Sequence, residues 1–321
     1  MEGSVLCLEG SSPDSLNFIS SPVGPWRTGR MQGRQVLVSD EAHEILSKKF
    51  KKVAFLSCKY NHPITLGALN LELLPSGEAP GSSFLLIKKN ENSLLYVSHW
   101  NPDSHPAIRS AKVRAVNRLV VNLESGKQSS SGGAGAVRQE TEKLQKTLQN
   151  TLESGSPLGV FLEPTRDLHR VLTALPRGAV PLFGDEKTLE FAAACASSLA
   201  ESHRPFREQF KNMKPLGEYA EGPGILFVNK HGTHKNLPNV NWILITSHKS
   251  APNPGHVTIS ERFCIAHIPG PNDILKLASE TGASEVILVN TGAAAEVCVS
   301  YLKQHGVAAH LLNAPQTTPL F

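Results

Sequence analysis

Short apolar or alternating runs dominate the first 125 residues: Val36-Leu37-Val38, Val53 to Leu56, Leu69 to Leu74, Phe84 to Ile87, Leu94 to Val97 and Leu119 to Leu123. Turn formers punctuate them, as in Pro75-Ser76-Gly77 and Asn90-Glu91-Asn92, so each run predicts a strand. One helix interrupts the series. Ser39 or Asp40 can cap a segment reaching about Lys48, with Ala42, Ile45 and Leu46 on one face. Residues 126–136, GKQSSSGGAGA, lack apolar side chains to pack and predict a flexible Gly/Ser linker. An amphipathic helix follows over Val137 to Leu152, with Leu144, Leu148 and Leu152 spaced by four.

The pattern then alternates. Leu158 to Leu162 and Ala179 to Phe183 predict strands, and Thr165 to Leu175 and Thr188 to Ala200 predict helices. That order points to a parallel sheet flanked by helices. The polar, Pro- and Gly-punctuated stretch 203–223 predicts a surface excursion. Strands return at Ile225 to Val228 and Trp242 to Thr246. A strand–helix–strand–helix–strand run closes the chain at 262–267, 272–281, 286–289, 293–305 and 308–312.

Composition narrows the chemistry. The chain has 321 residues, 40% hydrophobic and 19% charged, and 32 Lys+Arg against 28 Asp+Glu leave +4, too mild for charge alone to argue nucleic acid. The five cysteines are scattered without a CxxC, which excludes a disulfide scaffold and a thiolate zinc cluster. No apolar run approaches the ~18–20 residues of a membrane span, and Glu2 and Glu9 stand where a presequence would be basic. A soluble intracellular protein with no membrane association is expected. The 13 histidines make a metalloenzyme worth testing, but His231 and His234 flank Gly232-Thr233 with no acid close by, which suits a loop better than a ligand pair. No P-loop and no G-x-S-x-G elbow occurs. Cys58 and Cys264 adjoin apolar strands and read as packing groups.

The most specific segment is Leu71 to Trp100, in which Ser76-Gly77-Glu78-Ala79-Pro80-Gly81-Ser82-Ser83 links two strands and Tyr96-Val97-Ser98-His99 ends a hairpin. Here the chain resembles the metallo-β-lactamase-fold nucleases of the β-CASP group, with G-H-x-x-G-S followed by a hairpin ending in Y-x-G-D. Glu78 stands where that family has a ligating His, and His99 where it has the bridging Asp. Along 19–26 the resemblance puts Ser21, Val23, Pro25 and Trp26 at the ligand positions of the H-x-H-x-D-H signature. Glu124 matches the acid after the sheet, Ala266-His267 the late S-A-H-x-D, and Asn290 the His of the last motif. Only Glu124 and His267 retain metal-ligand chemistry at family positions, which is not a dinuclear site.

The resemblance implies an α/β fold: a metallo-β-lactamase-like αββα sandwich built from 1–125 and 246–321, with a β-CASP-like (Rossmann-like) cap over 137–245. It also implies a degenerate member, similar to the inactive nuclease-like subunits of the Integrator and of the cleavage and polyadenylation specificity factor, and in length to the DNA-ligase-associated β-CASP exonucleases. On that basis the expected protein is a pseudoenzyme with no catalytic residue, no metal and no cofactor. It would scaffold an RNA-processing complex beside an active nuclease homologue, in the nucleus rather than the cytoplasm. Glu78, His99 and His105 are then expected to fill the vacated cavity, and Glu124 and His267 to form a structural pair. Arg27, Arg30 and Arg34 are candidate RNA contacts, since arginine suits phosphate. Lys48-Lys49-Phe50-Lys51-Lys52 at a helix end, and the set Arg109, Lys112, Arg114 and Arg118, read first as solvated faces. Two alternatives stay open: a divergent hydrolase with one metal around Glu78, His99 and His267, and a stand-alone nucleic-acid-binding module.

Overall fold

The computed structural model describes residues 6–10, 12, 14–22, 31–101, 108–122, 133–175, 180–198, 204–231, 237, 239–246, 252–254, 257–265, 269–289 and 293–312. The chain is α/β and divides into two compact units. The first comprises 1–105, 109–128 and 269–321, and the second 106–108 and 129–268.

In the first unit, β1 (Leu6–Leu8), β2 (Leu16–Phe18), β3 (Gln35–Ser39) and β4 (Ala54–Cys58) form a parallel sheet in that order, and α1 (Asp40–Lys49) lies between β3 and β4 in sequence. Helix α1 starts where it does because the Ser39 hydroxyl accepts the Ala42 N–H. A larger sheet takes β5 (Ile64–Leu66), β6 (Leu69–Pro75), β7 (Ser83–Lys89), β8 (Asn92–Val97) and β9 (Arg118–Asn122). After the second unit it is completed by β16 (Glu285–Val289) and β17 (Ala308–Leu311), in the order β17-β16-β9-β8-β7-β6-β5. Strands β5 to β8 run antiparallel as a meander, and β8, β9, β16 and β17 are parallel.

Period-two alternation sorts the side chains into three cores. Leu37 and Phe18 of the small sheet meet Leu71, Leu85, Leu94 and Ile287 of the large one. Val36 and Val38, on the other face of β3, pack on Ala42 and Leu46 of α1. The far face of the large sheet, with Phe84, Leu95, Leu119 and Val286, packs on Ile274, Leu277, Cys298 and Leu302. Those four belong to α6 (Pro271–Thr281) and α7 (Ala293–Gln304). The layers therefore run helix, sheet, sheet, helix.

The second unit holds a wholly parallel sheet in the order β12-β11-β13-β10-β14-β15. Its strands are β10 (Leu158–Leu162), β11 (Leu182–Gly184), β12 (Lys214–Pro215), β13 (Ile225–Asn229), β14 (Asn241–Ile245) and β15 (Glu261–Phe263), and its helices α2 (Gly133–Glu153), α3 (Pro164–Ala174), α4 (Glu186–Ser198) and α5 (Arg204–Lys211). β10 and β13 are buried along their whole length, as a parallel strand covered on both faces must be.

Three boundaries differ from the sequence expectation. Residues 133–136 already belong to α2, so the linker 126–136 ends earlier than its composition suggests. The return to the first unit falls at 269 and not at 246, because β15 pairs with β14 and so extends the second sheet. The stretch 203–223 contains α5, whose Phe206 and Phe210 are buried one turn apart. No helix among the described residues is long and apolar enough to cross a membrane.

Candidate functional site

The Gly-rich turn between β6 and β7 is held from four sides. Within it, Ser76 N–H donates to Ser82 O at 3.1 Å and Ser82 N–H to Ala79 O at 3.0 Å. From the junction of β3 and α1, the Ser39 hydroxyl donates to Gly81 O at 2.8 Å, and Glu41 Oε2 accepts the Gly81 N–H at 3.2 Å. From beyond β4, the Tyr60 hydroxyl donates to Ser82 O at 3.0 Å. From the segment after β2, Ser20 O accepts the Ser83 N–H at 2.6 Å, and the Ser21 and Ser82 hydroxyls meet at 2.9 Å. Gly81, at φ +84°, brings its backbone against Ala42 of α1, while Gly77 lies against Asn101 O.

The result is a buried polar patch of Ser20, Ser21, Ser76, Glu78, Ser82, Ser83, Ser98 and Asn101. The hydroxyl oxygens of Ser20, Ser76 and Ser83 are buried there without a hydrogen-bond partner among the described residues. The main-chain donors of Ser76, Gly81, Ser82 and Ser83 are all committed, so these four offer no free N–H to an oxyanion. The second oxygen of Glu41 takes the Nε of Arg109 at 2.7 Å, which commits that carboxylate as well.

Ser21, Glu78 and His99 are the described members of the set that the resemblance equates with metal ligands. Glu78 is buried and His99 half-buried. One hydroxyl, one carboxylate and one imidazole do not fit a pair of zinc ions, each of which takes several thiolate, imidazole or carboxylate ligands. No group of three or more His, Cys, Asp or Glu side chains arranged to hold a metal occurs among the described residues. Val23, Pro25, Trp26, Arg27, Arg30, His105, Glu124, His267 and Asn290 lie outside those residues. Arg34 precedes β3, and its Nε is buried rather than offered to solvent. Three of the four cations in the second basic set are paired with acids: Arg109 with Glu41, Arg114 with Glu72 at 3.6 Å and Arg118 with Glu285 at 2.7 Å. They brace the fold and leave little free positive charge there.

In the second unit the carboxyl ends of the central strands gather two acids that the sequence reading passed over, and one of them meets His231, for which the sequence shows no acid close by; His234 lies outside the described residues. Glu163 follows β10 and stands 3.5 Å from the His231 ring beyond β13. Asp185, after β11, caps α4 through the Thr188 N–H and accepts the Asn229 N–H at 2.7 Å. An acid immediately after a continuous apolar run, as in Leu162-Glu163, was the available signal.

Burial, and behind it the Glu41 charge, hold the Tyr60 phenol well above the ordinary tyrosine range. Burial and the Glu9 charge do the same to Tyr96, whose hydroxyl accepts from Asn122. A raised folded-state pKa contributes stability that is intact below the unfolded value and lost as pH rises above it. The unfolding free energy from urea titration should therefore hold up to about pH 10 and fall beyond it, by up to about 1.4 kcal/mol per pH unit for each tyrosine. Tyr60→Phe should remove its share of that slope; an unchanged slope would place the linkage elsewhere.

No family model matches the chain, and no curated protein matches it. Among solved structures it is similar to a crystal structure of a protein of unknown function from Enterococcus faecalis V583, with a TM-score of 0.59 at 12% identity over 94% of this chain and 80% of that one. At that identity the likeness bears on the fold alone.

Proposed function

We propose that the chain is a catalytically inactive β-CASP nuclease-like protein that acts as a scaffold or partner subunit in an RNA-processing complex, beside an active homologue. In this reading the first unit is a metallo-β-lactamase-like αββα sandwich and the second its β-CASP-like cap. The helix–sheet–sheet–helix layering and the inserted parallel sheet both support it. The observation that carries it is the Ser21–Ser82 hydroxyl contact at 2.9 Å, which joins two segments that bear metal ligands in the active nucleases. Hydroxyls that hydrogen-bond to each other across that position make a packed polar seam suited to holding the fold. Recognition by surfaces then replaces chemistry.

Protein purified from native extract tests this directly. Metal analysis should find zinc well below one equivalent, nuclease assays should find no metal-dependent activity, and mass spectrometry should find a nuclease homologue co-purifying. Stoichiometric zinc together with a nuclease activity lost in His267→Ala would overturn the reading.

A further inference from the structure

Strand β4 is an edge of the small sheet among the described residues, hydrogen-bonded to β3 on one side only. The Ala54 N–H donates to Arg34 O, so by strand alternation Ala54, Leu56 and Cys58 bond to β3. Phe55 and Ser57 then turn their N–H and C=O groups outward. The strand carries no charge of its own, Ala-Phe-Leu-Ser-Cys, and Leu56 is 44% exposed. Edge strands are ordinarily blunted by a charge, a proline or a bulge within the strand, and β4 has no charge or proline. Its flanks are strongly basic: Lys48, Lys49, Lys51 and Lys52 before it and Lys59 after it are all exposed, and none has an ion-pair partner among the described residues.

We propose that this edge receives an extended acidic polypeptide segment by strand addition. The outward main-chain groups of Phe55 and Ser57 supply the ladder, Leu56 an apolar contact, and the lysines the charge that selects an acidic partner. A second copy of this chain is a poor occupant. Antiparallel pairing of two β4 edges would bring Lys51 and Lys52 of one copy beside Lys59 of the other, and like charges across strands destabilise. Single-stranded RNA is also disfavoured, because it is gripped by stacked aromatics and arginine planes. Here the cations are lysines, and the Phe55 ring is already occupied by His43 at 5.3 Å. The proposal does not depend on whether the Gly77–Ser83 turn has chemistry.

The test uses the full chain and a short fluorescein-labelled peptide of alternating valine and threonine with glutamates at both ends. Anisotropy should show binding that weakens with salt, and a lysine-ended counterpart should not bind. Ser57→Pro removes one outward N–H and spares the ladder to β3, so it should weaken binding about tenfold while the urea midpoint stays near that of the parent. Lys51→Glu with Lys52→Glu and Lys59→Glu should abolish binding at low salt. Leu56→Ser, which changes an exposed side chain and leaves the backbone alone, should also weaken it, and serves if the proline variant misfolds. Equal binding of the lysine-ended peptide, full binding by both Ser57→Pro and Leu56→Ser, or capture of a single-stranded RNA probe and not the acidic peptide would each overturn the proposal.

Discussion

Replacing Gly81 with alanine should lower the stability of the first unit by about 3–5 kcal/mol, a large share of what a domain possesses. Two effects add. The first is conformational: at φ +84° an L-residue sits where its Cβ crowds the following carbonyl, at roughly 1–2 kcal/mol. The second is steric: the new Cβ would lie 2.6 Å from the Ala42 nitrogen and 2.8 Å from its Cα. Those are backbone atoms at the first turn of α1 and cannot rotate aside. Relief requires the turn to pull away from the helix. That in turn stretches the Ser39–Gly81 and Glu41–Gly81 hydrogen bonds and disturbs the cap on which α1 begins, worth about 1 kcal/mol by itself.

Gly33→Ala separates the two effects. Gly33 has φ +73° but nothing within 4 Å of its added Cβ, so only the conformational cost of about 1 kcal/mol should appear. Urea midpoints of the two variants give the comparison. Equal losses would mean that the turn does not need its close approach to α1, and would remove the reason for a glycine at 81 beyond backbone angle.

That pair also shows how far the sequence reaches. The 77–83 turn was legible because two glycines and two serines between apolar runs leave few alternatives. What clamps it was not: Ser39, Glu41, Tyr60 and Ser20 come from elements about 20 to 60 residues away, and no local period reports such contacts. The same contrast runs through the fold. The strand predicted at Leu158 to Leu162 spans the same residues in the structure, since a continuous apolar run between turn signals has one sensible placement. β1 and β2 escaped notice because three residues carry too little pattern, and only the pairing of β1 with β2 and of β2 with β3 makes them strands. In α5 the i, i+4 spacing of Phe206 and Phe210 was present, but Pro205 and the charged positions around it outweighed a two-residue stripe. The boundary at 245 was misplaced for a related reason: a sheet continues as long as its partners continue, and β15 is recognisable only through β14.

Gly159→Ala should cost the second unit about 3 kcal/mol, and Trp242→Leu in the same chain should absorb nearly all of that cost. Gly159 and Trp242 are cross-strand partners on β10 and β14, and an added Cβ would fall 2.1 Å from the indole Cε3 and 2.4 Å from Cδ2 and Cζ3. The indole lies over the glycine because nothing else occupies that place, and it is stacked with the Phe161 ring at 4.6 Å. Its N–H has no hydrogen-bond partner among the described residues, so packing alone holds the ring, and a leucine in its place orphans no polar group. Trp242→Leu should itself cost about 2–4 kcal/mol through lost contact and a residual cavity. With the ring gone, the alanine methyl enters that cavity, and the double variant should match Trp242→Leu to within about 0.5 kcal/mol. Far-UV circular dichroism in urea reads all four proteins without relying on the tryptophan. A double variant whose losses simply add would place the cost in the backbone of β10, and would mean that Gly159 is needed for the strand itself rather than for the ring that covers it.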